Sequence, residues 1–309
     1  MLNYVVRRLL WFPFLLLLIT LITFALGYYG PGDPVQQRLG LRSNPETVAR
    51  LRAEMGLDRP FIIQYFDYVG RAARGDFGES FPLFLNKPVS ELIRDRMWVS
   101  IQLNFASLFV ATLVGIPLGI LAALFRNTLL DYFLMAGTVA GVSFPTFVVG
   151  PILMWVFIEQ LGVLTVGWDG LFSSKAILPV FILSLGPIAV LARQTRANLS
   201  EVLDAEYVRT ARAKGLPEHM VILSHAMRNA MIPLITIFGL MLGGLVGGAF
   251  VTETLFGIPG IGRLGLDAFF ARDYPIIMAL TLIIAVAYAF TNLLVDILYA
   301  LIDPRIHYR

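Results

Sequence analysis

The stretch VSIQLNFASLFVATLVGIPLGILAALF, residues 99–125, contains 27 residues and no charged side chain. An α-helix rises 1.5 Å per residue, so a helix of this length spans about 40 Å. The hydrocarbon core of a bilayer is about 30 Å thick, and backbone polar groups inside it must be paired within their own segment. The stretch therefore predicts a helix that crosses a membrane.

Five further uncharged runs have a similar character, which predicts an all-α membrane protein with six spans. The run 176–192 is short and contains Pro179 and Pro187. We expect it to extend to Gln194, because the long side chain of Arg193 can reach the membrane surface. The five runs are 9–29, 132–158, 176–192, 229–252 and 274–295.

The composition of the chain agrees with lipid as its solvent. Of its 309 residues, 57% are hydrophobic and 15% are charged, and the mean hydropathy is +0.75. Soluble domains have about 45–50% apolar and about 25% charged residues. The chain has no cysteine, which excludes disulfides and thiolate metal sites. The run 9–29 exceeds the apolar core of a signal peptide and lacks a cleavage motif, so we expect it to remain as the first span.

The distribution of basic residues predicts the orientation. With six spans both termini lie on one side, and the segments on that side carry 11 Lys and Arg residues against 3 in the opposite short loops. The positive-inside rule makes the termini cytoplasmic. The pI is about 9.2. The basic residues do not cluster with aromatic ones, so we expect membrane lipid and no nucleic acid as a partner.

The long segment after the first span alternates charged and apolar residues at roughly helical spacing. Pro45 and Glu46 are typical of a helix start, and 58–60 of its end. We expect a mostly helical external cap; a solvated loop is the alternative. The predicted divisions are a first span at 1–29, the cap at 30–96, a transmembrane domain at 97–302 and a cytoplasmic tail at 303–309.

A cytoplasmic loop at 198–234 shows two apolar helical stripes. Gly215 is typical of the end of the first helix, and Pro217 of the first turn of the second. We therefore predict a helix–turn–helix parallel to the membrane, exposing Arg209, Arg212 and Lys214. Such a basic amphipathic segment can also simply lie on anionic headgroups.

The loop resembles the EAA loop of binding-protein-dependent ABC permeases. The string EYVRTARAKG (206–215), with HAMRNAMIPL (225–234), is similar to the version in the dipeptide/oligopeptide permease family. At 97–99, just before the second span, the sequence lacks a proline and a threonine that are common in the family. The resemblance therefore does not define where that helix begins. Further strings similar to the family's B-type subunit are PGDP (31–34), MGLDRP (55–60), GDFGES (75–80), PVSELIRDR (88–96), ETLFGIPGIGRL (253–264) and RDYPII (272–277).

This resemblance implies a type I importer in a bacterial or archaeal plasma (inner) membrane. It implies a second permease subunit, two cytoplasmic ATPase subunits and an external binding protein that delivers dipeptides or oligopeptides. Glutathione or a nickel complex is the alternative cargo. The family's contact with the ATPase is expected at Glu206, Tyr207, Arg209, Thr210, Ala211, Lys214 and Gly215.

The sequence predicts no enzyme activity, catalytic residue, cofactor or metal site. It lacks the G-x-x-x-x-G-K-[ST] string of a phosphate loop, so any ATP hydrolysis belongs to partner subunits. An intramembrane hydrolase is a poor alternative, because H-E-x-x-H and G-x-S-x-G are both absent. The three histidines all lie in predicted cytoplasmic segments: His219, His225 and His307.

Polar residues in the spans are candidates for lining a pore or for bonding between helices. Asp296 is the clearest ionisable one, and we favour a structural ion pair with a basic residue such as Arg193, Arg7 or Arg8. An ion-coupled secondary transporter is the more distant alternative, but it would need carboxylates near the midplane. The pore candidates are Asn104, Thr138, Ser143, Thr146 and Asn292.

Small residues and prolines predict how the spans pack. Close backbone approach is expected at pairs of glycines four residues apart. Bends are expected at Pro117, Pro145 and Pro151. The glycine pairs are 115/119, 137/141, 243/247 and 244/248.

Overall fold

The structure is a computed structural model that describes residues 2–30, 35, 44–54 and 56–302. The side chains of 2–9 and 296–302 are not described, so the pairing predicted for Asp296 with Arg193, Arg7 or Arg8 lies outside the described residues. The motif at 31–34 and the tail at 303–309 also lie outside. Five helices are long and apolar enough to cross a membrane, and a bent pair of helices makes a sixth span.

The described chain is almost entirely helical. One short antiparallel hairpin pairs Glu79 with Pro88 and Ser80 with Lys87. Its strands are β1 (Glu79–Ser80) and β2 (Lys87–Pro88). The α-helices are α1 (Leu2–Tyr29), α2 (Pro45–Glu54), α3 (Phe61–Ala72), α4 (Val89–Leu124), α5 (Leu129–Ser143), α6 (Thr146–Met154), α7 (Ile177–Leu203), α8 (Glu206–Ala213), α9 (Glu218–Met220), α10 (Met227–Gly243), α11 (Phe250–Leu255), α12 (Ile261–Ala271) and α13 (Tyr274–Ile302).

Helices α4 and α7 form the central pair of the bundle. A methyl group added at Gly119 would lie 2.5 Å from the carbonyl oxygen of Ala192, and one at Gly115 would lie 3.0 Å from that of Ile188. Only glycine allows this approach, so the close packing predicted for this pair is confirmed. Gly137 differs, because an added methyl group there meets nothing within 4 Å.

The third span is broken. Its arms, Leu129–Ser143 and Thr146–Gln160, meet at an angle of 93°. Phe144 has extended backbone angles, φ −104° and ψ 133°, as expected for a residue before proline. The bend predicted at Pro145 is confirmed. Pro117 and Pro151 lie inside continuous helices.

Two helix limits differ from the predicted ones. The second span begins at Val89, about ten residues before the uncharged run, because the amphipathic segment SELIRDR continues the same helix. The predicted division at 96/97 therefore falls inside α4. Helix α2 begins at Pro45 as predicted but ends at Glu54, before Asp58.

The hairpin fastens the segment after α1 to the last span. Ser80 Oγ lies 2.5 Å from Oδ2 of Asp273, the residue before α13, and both side chains are buried. Burial raises the pKa of the Asp273 carboxyl, although the hydrogen bond from Ser80 acts in the opposite direction. The GDFGES and RDYPII motifs therefore meet at this contact.

Candidate functional site

The loop between the fourth and fifth spans contains one separate helix, α8. The start of the predicted helix–turn–helix is wrong. Leu199, Val202 and Leu203, which were assigned to its first helix, form the last turns of the long helix α7. The next span begins at Glu218 and runs to Val246. The apolar flanks of the loop continue two spans, and the segment 204–217 that joins them contains the eight-residue helix α8.

One face of α8 is anchored on its own chain. Val208 is fully buried and Ala211 is 5% exposed, and both belong to an apolar cluster that includes Leu199, Val221 and Ala226. Six of the seven predicted coupling residues lie on the exposed side, whereas Ala211 packs inwards. The six are Glu206, Tyr207, Arg209, Thr210, Lys214 and Gly215.

Polar contacts hold the two ends of this loop. Arg212 Nη2 lies 2.6 Å from Glu218 Oε1, which closes the turn between α8 and the next span. Within that turn Gly215 has φ 77°, the left-handed conformation predicted for it and readily adopted by glycine. Tyr207 Oη accepts a hydrogen bond of 2.8 Å from Asn229 Nδ2.

The start of α8 is tied to the loop after the second span. Arg126 donates to both carboxylate oxygens of Asp204, over 2.5 and 2.9 Å. This hydrogen bonding lowers the pKa of the Asp204 carboxyl below its ordinary value. The pair keeps the loop at 125–128 next to α8.

The exposed side of α8 carries positive charge. Across the described side chains, Arg209 and Lys214 make no ion pair, whereas Arg212 is paired with Glu218. Thr210 Oγ1 donates to the carbonyl oxygen of Glu206, 2.9 Å away, as a helical hydroxyl commonly does. The exposed side of α8 is therefore a small basic surface on a helix that is held in place by its own chain.

The structure does not bring the predicted pore residues together. Asn104 donates to the carbonyl oxygen of Leu245, 2.9 Å away, and so bonds α4 to the end of the fifth span. Thr138 and Ser143 bond to carbonyls of their own helix. Thr138 and Thr146 line two adjoining apolar depressions at the bend, of about 210 and 260 Å³, whereas Asn292 lies half-buried on α13.

Sequence reasoning missed a buried carboxylate inside the ETLFGIPGIGRL motif. Glu253 is fully buried. It accepts hydrogen bonds from Ser100 Oγ at 2.7 Å and from the backbone N–H groups of Ala249 and Arg263 at 3.1 and 2.9 Å. A methyl group at Gly260 would lie 2.4 Å from its carboxyl carbon. The glycines of this motif were the sequence signal for a closely packed site, because such close packing requires them.

Known protein families match both parts of the chain. Residues 115–308 match the family of inner membrane components of binding-protein-dependent transport systems. Residues 1–104 match the family that describes the N-terminal part of such membrane components. The chain is 41% identical, over the full length of both proteins, to "Glutathione transport system permease protein GsiC" of Salmonella typhimurium strain LT2 and of Escherichia coli strain K12.

A solved structure shares the fold. It is an inward-facing conformation of the MetNI methionine ABC transporter, with a TM-score of 0.56 and 17% identity. The match covers 69% of this chain and 96% of that one. The family matches extend over almost the whole sequence, and the helices include five spans and a sixth, broken one. The chain belongs to the inner membrane component family of binding-protein-dependent transport systems and is a multi-pass permease subunit of an ABC importer.

Proposed function

We propose that this permease imports glutathione. The observation that carries the proposal is the 41% identity over 310 residues to proteins named as glutathione permeases. From the sequence alone we expected dipeptides or oligopeptides as the cargo, with glutathione or a nickel complex as the alternative. Glutathione is itself a tripeptide, so the change stays within one chemical class. Other short peptides are the second candidate, and a nickel complex is the third.

The partners we propose follow from the family and from the surface of α8. One chain supplies half of the pore, and a second permease subunit supplies the other half. An external binding protein delivers the cargo, and two cytoplasmic ATPase subunits hydrolyse ATP. The absence of a phosphate loop in the sequence supports this division, as do the exposed cations Arg209 and Lys214, which form no ion pair with the side chains that the structure describes.

We propose that α8 is the coupling helix and that its exposed side docks on an ATPase. The docking residues are the six that lie on that side. Ala211 was expected to contact the ATPase, but it is buried and, together with Val208, packs α8 against its own chain. An ATPase contact can therefore move the ends of two spans without first unfolding the loop.

The proposed orientation places both termini and α8 in the cytoplasm. The excess of Lys and Arg on that side supports it. The segment between α1 and α4 then faces outwards as the cap, and the transmembrane domain begins with α4. Thr138 and Thr146 are the best-placed pore candidates, since they line depressions at the bend of the third span. Asn104, Ser143 and Asn292 are secondary candidates.

Reconstitution tests the cargo. The chain is assembled in liposomes with its partner permease, its ATPase subunits and its binding protein, and ATP-dependent uptake of labelled glutathione, a dipeptide and a nickel complex is compared. We expect saturable uptake of glutathione. Uptake of the dipeptide without glutathione would refute the cargo but leave the importer intact. Uptake driven by an ion gradient without ATP would refute the importer mechanism.

Crosslinking tests the docking face. The chain has no cysteine of its own, so a single cysteine can be placed at will. We expect Arg209→Cys to crosslink to an ATPase subunit, whereas Arg94→Cys, exposed near the start of α4, does not. If the cysteine at position 209 reacts only with a lipid-borne reagent, α8 lies on headgroups instead.

A further inference from the structure

Helix α3 in the segment after the first span has three distinct sides. Tyr65, Tyr68 and Ala72 are buried, and they recur at helical spacing along the side that packs on the protein. Ile62, Ile63 and Phe66 are 53%, 44% and 61% exposed and form an apolar side next to it. Polar residues occupy the remaining side: Gln64, Asp67 and Arg71.

The aromatic contacts of α3 fix its level relative to α1. The rings of Phe61, Tyr65 and Tyr68 lie 5.4, 5.8 and 5.6 Å from the ring of Phe24. Three residues that span two helical turns thus meet one ring, so α3 crosses α1 at the level of Phe24. Phe24 precedes Tyr29, the end of α1, by five residues, or about 8 Å along the helix axis.

Hydrogen bonds strengthen this placement. Tyr65 Oη donates to the carbonyl oxygen of Leu17, 2.8 Å away, and lies 3.1 Å from Thr20 Oγ1. Leu17 and Thr20 are inside the first span, Leu10–Tyr29. The side chain of Tyr65 thus extends from α3 toward the middle of the first span, since Leu17 precedes Tyr29 by 12 residues, or about 18 Å along the axis.

The polar side of α3 is suited to water and not to hydrocarbon. Asp67 Oδ2 accepts from Arg59 Nη1 over 3.1 Å, and Gln64 Nε2 donates to the carbonyl oxygen of Arg59 over 2.7 Å. Both members of the ion pair are more than half exposed. Such a pair is suited to water and headgroups and is costly to place in hydrocarbon.

We propose that α3 is an interfacial helix that lies in the bilayer surface, with Ile62, Ile63 and Phe66 inserted among the lipid chains. Interfacial helices insert their apolar side about 5–10 Å below the headgroups, which agrees with a crossing about 8 Å below Tyr29. The exposed side chains on the flank of α1 next to the crossing, such as Leu18 and Leu21, are also apolar. The lipid-facing surface of the first span therefore continues onto α3.

We assign lipid and not another protein chain as the partner of this surface, because its apolar side is continuous with the first span, which is long and apolar enough to cross a membrane and is almost entirely exposed. The tyrosines at the end of α1 also favour the interface, since Tyr28 and Tyr29 are exposed there. By this inference part of the cap belongs to the membrane surface. The inference does not depend on the cargo.

Environment-sensitive labels test it in the assembled transporter. Ile62→Cys, Phe66→Cys and Asp67→Cys are made one at a time, labelled with bimane and reconstituted with the partner subunits in phosphatidylcholine vesicles. Chain-brominated phosphatidylcholine quenches from the lipid, and iodide quenches from water. We expect bromolipid to quench positions 62 and 66 several-fold more than position 67, and iodide to show the reverse order.

Two results would overturn the proposal. Equal iodide quenching at 66 and 67 would place the helix in water. Protection of 62 and 66 from both quenchers would show that a protein partner covers this side. ATP-driven uptake by each labelled transporter reports correct assembly, and two apolar positions are used so that the failure of one leaves the other informative.

Discussion

Arg196 and Asp131 lie 65 residues apart in the sequence and form a two-point ion pair, with Nε 2.5 Å from Oδ1 and Nη2 2.6 Å from Oδ2. The Asp131 side chain is 1% exposed. Its Oδ2 also accepts from the backbone N–H of Asn127, 2.9 Å away. The pair joins α7 to the first turn of the broken third span.

We expect Arg196→Ala to destabilise the protein strongly. The substitution leaves the buried carboxylate of Asp131 without its cation, which costs about 3 kcal/mol. Arg228→Ala is the control, because Arg228 is exposed in the first turn of α10, and its effect should stay within about 0.5 kcal/mol. Unfolding of each variant in lipid nanodiscs measures the difference. Equal stability of the two variants would contradict a structural role for the pair.

Gly260→Ala should disrupt the motif around Glu253. The added methyl group would lie 2.4 Å from the Glu253 carboxyl carbon and 2.5 Å from Ser100 Oγ, so one of the two must move and its hydrogen bonds weaken. Gly186→Ala is the control, since a methyl group there meets nothing within 4 Å. We expect loss of thermal stability and uptake for position 260 alone. A native-like Gly260→Ala transporter would show that the close packing is dispensable.

The buried Asp273 should make stability depend on pH. Burial raises the pKa of its carboxyl above the ordinary 3.8, so the folded protein binds the proton more tightly than the unfolded chain does. Its contribution to the free energy of unfolding therefore falls as the pH rises from 3.8 through the folded value. Asp273→Asn can still accept the hydrogen bond from Ser80.

Thermal unfolding of the two proteins across this pH range measures the effect. The Asp273→Asn variant should gain stability relative to the native protein as the pH rises. A difference between them that is independent of pH, or that changes in the opposite direction, would contradict the assignment.

Gly215→Trp should uncouple ATP hydrolysis from transport without unfolding the chain. A Cβ atom added at this exposed position meets nothing within 4 Å, so there is room for a side chain on the surface of the proposed docking face. Gly215→Asn is the control, because asparagine tolerates the left-handed conformation at φ 77° and is much smaller. We expect the tryptophan variant to insert normally but to lose uptake, and the asparagine variant to retain most of it. Normal uptake with tryptophan would reject this docking face.

Local features of the sequence predicted the spans, the bend at Pro145 and the turn at Gly215. Each of these depends on neighbours in the chain: an uncharged run, a proline without an N–H, a glycine with freedom at positive φ. The close approach at Gly119 was also predictable, because a glycine pair four residues apart leaves one flat helix face.

Contacts between distant segments were not predictable from the sequence. Ser100 and Glu253 are 153 residues apart, and nothing in either segment alone shows that the other will approach. The limits of α7 and α8 were misjudged for a related reason, since a helical stripe does not show whether it continues a span or stands alone. The inward position of Ala211 became apparent only from the packing of α8 on its own chain.

If α8 moves with the ATPase proposed to dock on it, the two spans that flank α8 move with it. The fourth span has 30 residues and the fifth has 29, so each is about 45 Å long, and only a short helix joins their ends. A tilt of about 5° produced at that joint would displace the far end of either span by about 4 Å. Pro187 and Pro233 lie within these helices and are the points at which each span can flex. Under the proposed docking, a small displacement of α8 is therefore amplified at the far ends of both spans.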